Sequence, residues 1–197
     1  MVRTGWRQHL LWVFVGGLIG CQGSVPGGGP VVETSVEPRE IVAGGQATVT
    51  CNLRNGPADA ETSYRLEPDV GWQADGDVVT VTQAGNYVVR CEVPELDLFD
   101  PVGAELAVAP GEPVQVAAHL EPPVVPVFQS STVTCAVEDG LGNAVEGEWD
   151  LSIVVVPGLS LQSGTVVSET PGTYEVRCQA PSNPELVEVP AELEVTA

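Results

Sequence analysis

The stretch Thr48-Val49-Thr50-Cys51 is repeated as Thr132-Val133-Thr134-Cys135, 84 positions further along the chain. A second block, GNYVVRC at residues 85–91, corresponds to GTYEVRC at residues 172–178 after an insertion of three residues. Two matching blocks in the same order indicate a duplication. The repeated unit spans roughly 85 residues, which is too long for a solenoid repeat and typical of a small β-sandwich domain.

Each unit shows the alternating pattern of β-strands that are buried on one face. Ala47, Val49 and Cys51 lie on one side of the first block, and Thr48 and Thr50 lie on the other. The matching strand of the second unit alternates in the same way, as does the strand that ends at its second cysteine. No segment has a convincing helical period. The sequence therefore predicts an all-β fold in which both cysteines of each unit face the core.

The division of the chain follows from its composition. Residues 109–113 read Ala-Pro-Gly-Glu-Pro, and two prolines with a glycine interrupt the β pattern there. We therefore expect one domain at 31–109 and a second at 113–197. Residues 21–30 are rich in glycine and proline, which predicts a short flexible tether, and residues 1–20 have the layout of an export signal.

The four cysteines of the two units could pair in three ways, and the repeat favours Cys51 with Cys91 and Cys135 with Cys178. Trp149 stands between the two cysteines of the second unit. This arrangement resembles the Cys…Trp…Cys pattern of immunoglobulin domains, and it is most similar to the immunoglobulin-like repeats of bacterial surface and periplasmic proteins. The resemblance implies two tandem immunoglobulin-like β-sandwiches, each with a disulfide between its sheets.

Three tyrosines complete the predicted set of core aromatic residues. Tyr64 occupies the place in the first unit that Trp149 has in the second. Tyr87 and Tyr174 each stand four residues before the second cysteine of their unit, whereas the tyrosine corner of immunoglobulin domains stands two residues before it. The resemblance thus implies core positions for these aromatic side chains but departs from the family at this spacing.

The amino-terminal signal carries Arg3 and Arg7, followed by an apolar run over residues 10–19 that is too short to span a bilayer, which needs about 20 residues. It ends in LIGC at residues 18–21, which resembles the lipobox of bacterial lipoproteins. The resemblance implies cleavage before Cys21 and acylation of that cysteine, for example with palmitate. The alternative is an ordinary signal peptide with an incidental cysteine.

The number of cysteines supports acylation. Five cysteines in an exported chain leave one unpaired, and a lipid on Cys21 explains it. Gln22 follows that cysteine, whereas an aspartate at this position resembles the retention signal of the inner membrane in enteric bacteria. The lipoprotein resemblance therefore implies the outer membrane. The protein could face either the periplasm or the cell surface.

The charge of the chain excludes nucleic acid as a partner. The chain has no lysine. Beyond residue 20 it has five arginines and 27 acidic residues, which give a net charge of about −22. Nucleic-acid binding depends on Lys and Arg neutralising phosphates, so this charge would repel such a ligand.

The sequence offers little chemistry of the catalytic or metal-binding kind. Beyond the signal, His119 is the single histidine, with no Gly-x-Ser-x-Gly motif, and too few His and Cys ligands remain for zinc. Two acidic loops are candidate calcium sites, and the alternative is an ordinary solvated surface. They contain Glu95, Asp97 and Asp100, and Glu138, Asp139 and Glu146. We expect no catalytic residue, no metal and no cofactor.

Arg90 and Arg177 stand beside the second cysteine of each unit, at outward positions where a cross-strand carboxylate is the expected partner. Together these features predict a non-enzymatic, membrane-anchored lipoprotein of the cell envelope that serves binding, adhesion or a structural role through loops or sheet edges. Its partner could be a protein or a glycan. The alternative is a periplasmic accessory or inhibitor lipoprotein that docks on a larger enzyme or secretion complex.

Overall fold

The computed structural model describes residues 28–197, which form 18 β-strands and one short turn of 3₁₀ helix. Within this described part there is no α-helix, and no helix in it is long and apolar enough to cross a membrane. The prediction of an all-β fold is confirmed.

The first nine strands build one β-sandwich. They are β1 (Val31–Glu37), β2 (Glu40–Val42), β3 (Gln46–Arg54), β4 (Ser63–Glu67), β5 (Trp72–Asp75), β6 (Val78–Val81), β7 (Gly85–Val93), β8 (Leu98–Phe99) and β9 (Ala104–Ala109), with the 3₁₀ helix at Pro94–Leu96. One sheet has the order β1-β3-β6-β5 and the other β2-β9-β7-β4, with β8 beside β7. In immunoglobulin lettering these are the sheets A-B-E-D and A′-G-F-C.

The second nine strands repeat this arrangement. They are β10 (Gln115–Glu121), β11 (Val124–Pro126), β12 (Ser130–Glu138), β13 (Ser152–Val155), β14 (Leu159–Gln162), β15 (Thr165–Ser168), β16 (Gly172–Gln179), β17 (Val187–Val189) and β18 (Ala191–Thr196). The sheets have the orders β14-β15-β12-β10-β17 and β11-β18-β16-β13. Strand β17 pairs in parallel with β10, and it extends the first sheet beyond the immunoglobulin pattern.

Each sandwich encloses a core of small aliphatic side chains between its two sheets. In β3 the burial alternates as the sequence predicts, because Ala47 and Val49 are buried while Thr48 and Thr50 are exposed. Valine dominates both cores, and its branched side chain suits the pleated surface of a strand. Burial of this apolar surface supplies the main favourable term of folding.

The predicted disulfides are present. Cys51 of β3 bonds to Cys91 of β7 with an Sγ–Sγ distance of 1.97 Å, and Cys135 of β12 bonds to Cys178 of β16 at 1.96 Å. Each bond joins strand B of one sheet to strand F of the other, as in immunoglobulin domains. The strand order and the disulfides together define both sandwiches as immunoglobulin-like.

The structure corrects the equivalence of Tyr64 and Trp149. Tyr64 lies in β4 opposite Cys91, but the residue opposite Cys178 is Ile153 of β13. Extra residues in the loop before β13 carry Trp149 out of the strand, and its indole N–H donates to the carbonyl of Val145 at 3.0 Å. The indole packs on a separate small cluster that contains Val137, Ala180 and Leu186.

The two tyrosines before the second cysteines make a hydrogen bond of the tyrosine-corner kind despite their different spacing. The buried Tyr87 donates its hydroxyl to the carbonyl of Gln83 at 3.0 Å, and the half-buried Tyr174 donates to the carbonyl of Thr170 at 2.9 Å. Each hydroxyl thus bonds the backbone four residues upstream. Burial raises the pKa of the Tyr87 phenol, which keeps it in the form that donates this bond.

Loss of the first disulfide should destabilise the first sandwich strongly. The bond closes a loop with a sequence separation of 40 residues, for which chain entropy gives about 4 kcal/mol. We expect C51A/C91A to lower the free energy of unfolding of this sandwich by about that amount in a urea titration followed by circular dichroism. An unchanged unfolding curve would contradict the assignment of a stabilising role to this bond.

Candidate functional site

The junction between the two sandwiches is organised by a buried carboxylate. Asp139 directly follows β12 and is 2% exposed. Its oxygens accept backbone N–H groups from Gly111 of the linker at 2.7 Å, and from Leu141 and Asn143 of its own loop at 2.8 and 2.9 Å. Aspartate favours such turns because its short side chain reaches backbone donors nearby. One carboxylate therefore fixes both the linker and the loop.

The hydrogen bonds of Asp139 determine its ionisation. Burial by itself raises the pKa of a carboxyl group, but the donors from Gly111, Asn143 and Leu141 outweigh it and lower the pKa of Asp139 to about 2. The group is therefore ionised at neutral pH. A carboxylate with several backbone donors is a strong hydrogen-bond acceptor.

Asn143 carries the connection across to the first sandwich. Its Nδ2 donates to the carbonyl of Thr82 at 2.9 Å, and its Oδ1 accepts the N–H of Ala84 at 2.8 Å. The same Nδ2 lies 3.0 Å from Oδ2 of Asp139, which orients the amide. Both polar atoms of one side chain thus bond the loop between β6 and β7.

An apolar contact accompanies these hydrogen bonds. Leu141 lies over Gly44, in the turn between β2 and β3, such that a β-carbon placed on this glycine would be 3.4 Å from Cδ1 of Leu141. Gly44 has a φ of +83°, a conformation that glycine adopts without strain. The loop after β12 therefore docks on two turns at one end of the first sandwich.

The sequence pattern does not predict this junction. Asp139 falls with Glu138 and Glu146 in a candidate calcium loop, and nothing in the pattern singles out Asn143. The signal that was present is Asp-Gly-Leu-Gly-Asn at residues 139–143, a typical turn composition. The partners of Asn143, Thr82 and Ala84, lie about 60 residues earlier in the chain and could not be inferred from that composition.

The other acidic loop also uses its carboxylate for the backbone. Asp100 accepts the N–H of Thr34 at 2.8 Å and of Val102 at 3.0 Å. Burial opposes ionisation, but these and neighbouring donors lower the pKa of Asp100. Within residues 28–197, no three His, Cys, Asp or Glu side chains are grouped so that they could hold a metal ion.

The structure places the two arginines differently. Nε of Arg90 lies 3.3 Å from Oε2 of Glu67 on the neighbouring strand β4, which is the expected cross-strand pair. Arg90 also donates to the carbonyl of Pro101. Arg177 pairs with Glu175 of its own strand, and its cross-strand neighbour is Val154, so the cross-strand expectation for this arginine is wrong. Residues two apart share one face of a strand, which makes this pairing possible.

His119 is a half-exposed residue of β10. Its Nε2 lies 2.7 Å from Oε1 of Glu138, and Oε2 of the same carboxylate accepts Nε2–H of Gln115 at 2.9 Å. All three residues belong to the paired strands β10 and β12. The group therefore links two strands.

Cys21 and the predicted export signal lie outside the described residues, as does most of the predicted tether. The described chain begins at residue 28, three residues before β1. The lipidation of Cys21 stays a prediction.

The solved structures that resemble this chain share little sequence identity with it. No protein-family model and no curated protein match the chain. The chain is similar to FdeC, an Escherichia coli adhesin, at 18% identity over 85% of this chain and 63% of that one, with a TM-score of 0.35. Invasin, a bacterial integrin-binding protein, is 17% identical over 85% of this chain and 40% of that one, with a TM-score of 0.36. Yersinia pseudotuberculosis InvD is 15% identical over 84% of this chain and 57% of that one, with a TM-score of 0.37.

The chain spans between 40% and 63% of the length of these three structures. The immunoglobulin-like character of the two sandwiches stands on the strand order and disulfides of the chain itself.

Replacing Asn143 should loosen the junction without unfolding either sandwich. N143A removes both bonds to the first sandwich, while the disulfides and cores are untouched. We expect a broader distribution of distances between spin labels placed on the two sandwiches, measured by pulsed electron paramagnetic resonance. N183A is the matched control, because the amide of Asn183 bonds only within its own loop. Equal distributions in both variants would contradict the role of Asn143.

Acid should weaken the junction through Asp139. Its pKa is depressed to about 2, so its contribution to stability is complete above the unfolded value near 4 and is lost as the pH falls toward 2. D139N lacks one acceptor at every pH. We therefore expect its thermal midpoint to lie below that of the wild type at pH 7 and the gap to narrow between pH 4 and pH 2. E112Q serves as the exposed control, and a gap independent of pH would contradict this assignment.

Proposed function

We propose that this protein is a non-enzymatic binding module of the bacterial cell envelope, held at a membrane by lipid on Cys21. The observation that carries the anchoring is the use of the cysteines. Four of the five are consumed in two disulfides within the chain, so no other cysteine of the chain is left to pair with Cys21. Acylation gives this thiol a function, and the lipobox-like LIGC supports it.

Export is supported by the same disulfides. Structural disulfides persist in oxidising compartments and are rare in the cytosol. In a domain of this size such a bond adds a substantial part of the net stability, because the small core leaves little. The proposed location is therefore outside the cytoplasm, and Gln22 after Cys21 supports the outer membrane.

The binding role is supported by the way in which the two sandwiches are joined. Asn143 and Asp139 fix the loop after β12 to the first sandwich and to the linker. A tethered pair of sandwiches with a fixed junction would hold the far end of the second one away from the membrane. Loops carried on such a scaffold are suited to binding a protein or a glycan, as in adhesion.

Anchoring is tested by intact mass and membrane partitioning of the natively expressed protein and of C21A. We expect a diacyl or triacyl mass increment that begins at Cys21 in the wild type. C21A should lack the increment and lose its membrane association. An unmodified wild-type protein in the aqueous phase would overturn the anchored model.

The side of the outer membrane is tested by adding protease to intact cells. Digestion of the protein supports a surface module that acts in adhesion. Protection, followed by digestion after the outer membrane is permeabilised, supports the accessory role at a periplasmic enzyme or secretion complex. Antibody detection of a periplasmic marker controls for leakage.

A further inference from the structure

Phe128 is an aromatic residue in an unusual conformation at the surface. It lies in the turn between β11 and β12, has a φ of +63°, and is 67% exposed. The left-handed region is strained for a bulky residue, and burial does not repay that strain here. Residues that keep such strain are enriched at functional sites, so Phe128 calls for an explanation in terms of binding.

The duplication identifies the residue that Phe128 replaces. At the offset of 84, Phe128 corresponds to Gly44, which also has a positive φ of +83°. The two turns share their hydrogen bonding, because Gly44 donates its N–H to the carbonyl of Val81 at 2.7 Å and Phe128 donates to that of Ser168 at 2.9 Å. The same turn therefore carries glycine in one sandwich and an exposed phenyl in the other.

In the first sandwich this turn contacts the second sandwich. Leu141 of the second sandwich lies over Gly44, at a distance that a β-carbon would just tolerate. A phenyl at this position would occupy the place of Leu141. Glycine thus leaves room for the neighbouring loop to approach the first turn, whereas the phenyl of Phe128 projects from the second turn into solvent.

The corresponding end of the second sandwich also lacks the backbone N–H donor that the junction uses. In the first sandwich the N–H of Ala84 donates to Asn143. The corresponding residue is Pro171, which has no N–H to donate. This end of the second sandwich therefore cannot repeat the junction, and its surface differs from the first at both points of contact.

The end that carries Phe128 points away from the first sandwich. Strand β12 runs from Ser130, beside this turn, to Glu138, beside the junction, and its nine residues separate the two ends by about 30 Å. Two exposed carboxylates flank the turn, Glu121 at the end of β10 and Glu169 next to Ser168. Over residues 113–197 there is one arginine against 12 acidic residues.

We propose that this end of the second sandwich docks a protein partner, with the phenyl of Phe128 inserted into an apolar pocket whose rim carries Lys or Arg. This rests on the proposed binding function and specifies its surface and the chemistry of its partner. An aromatic anchor at the centre of an interface carries much of the binding energy, and the carboxylates around it select a basic rim. The homologous turn of the first sandwich is itself contacted by a loop of the second sandwich, through Leu141.

The experiment places the photo-crosslinking residue p-benzoylphenylalanine at position 128 of the full-length chain in its native host, with position 99 as the control. Phe99 is the matched residue, since it is also an exposed phenylalanine, at 53%, on the first sandwich. We expect irradiation to give one protein adduct from position 128 and none from position 99. The protein in that adduct is then purified for direct binding measurements.

Wild type, F128G and F99A are compared in that binding assay. F128G should bind at least about tenfold more weakly, as expected for loss of an aromatic anchor, and F99A should bind like the wild type. Wild-type binding should weaken as ionic strength rises, since charges on the rim contribute. F128G should melt at or above the wild-type temperature because glycine suits this φ, so weaker binding cannot be attributed to unfolding.

The proposal is overturned by no adduct at position 128, by adducts of equal yield at both positions, or by unchanged binding of F128G. An adduct from position 99 alone would leave the proposed binding function standing and reject this surface. The lipid on Cys21 is read separately by mass, so failure of anchoring and failure of docking are distinguishable.

Discussion

Each sandwich depends on the bond that joins its strand B to its strand F. Cys51–Cys91 and Cys135–Cys178 connect the two sheets at the centre of cores built mainly from valine, with few large side chains. A core of this kind buries little apolar surface per residue, so the constraint on the unfolded chain supplies a large share of net stability. The edges and loops can then carry many acidic side chains without loss of the fold, because the stability resides inside.

The junction uses a different principle. Its apolar contact is small, and its specificity comes from one ionised carboxylate and one amide whose polar atoms all have partners. A hydrogen bond is directional, so a few of them fix an orientation that a small apolar contact would leave open. Asp139 belongs to the second sandwich, but its donors include the linker, and this ties the position of the linker to the folding of the loop after β12.

The duplication explains how one fold carries two kinds of surface. The turn between strands A′ and B has the same backbone bonds in both units, yet Gly44 is contacted by Leu141 of the other sandwich while Phe128 projects into solvent. The loop between strands E and F likewise changes from Ala84, which donates an N–H to its neighbour, to Pro171, which cannot. Substitutions at a few turn positions therefore convert an internal contact into an outward surface while the cores and cysteines stay alike.

The sequence by itself determined the all-β fold, the alternation of β3, the duplication and the two cysteine pairs, because strand period and internal repetition are local properties of the chain. It also brought Tyr87 and Tyr174 to notice, although only the structure assigned their hydroxyls to carbonyls four residues upstream. Tertiary structure alone decided that Trp149 lies outside strand C, that Arg177 pairs within its own strand, and that Asn143 reaches Thr82 and Ala84. These outcomes depend on loop length and on how two folded units meet, and neither leaves a periodic signal in the residues concerned.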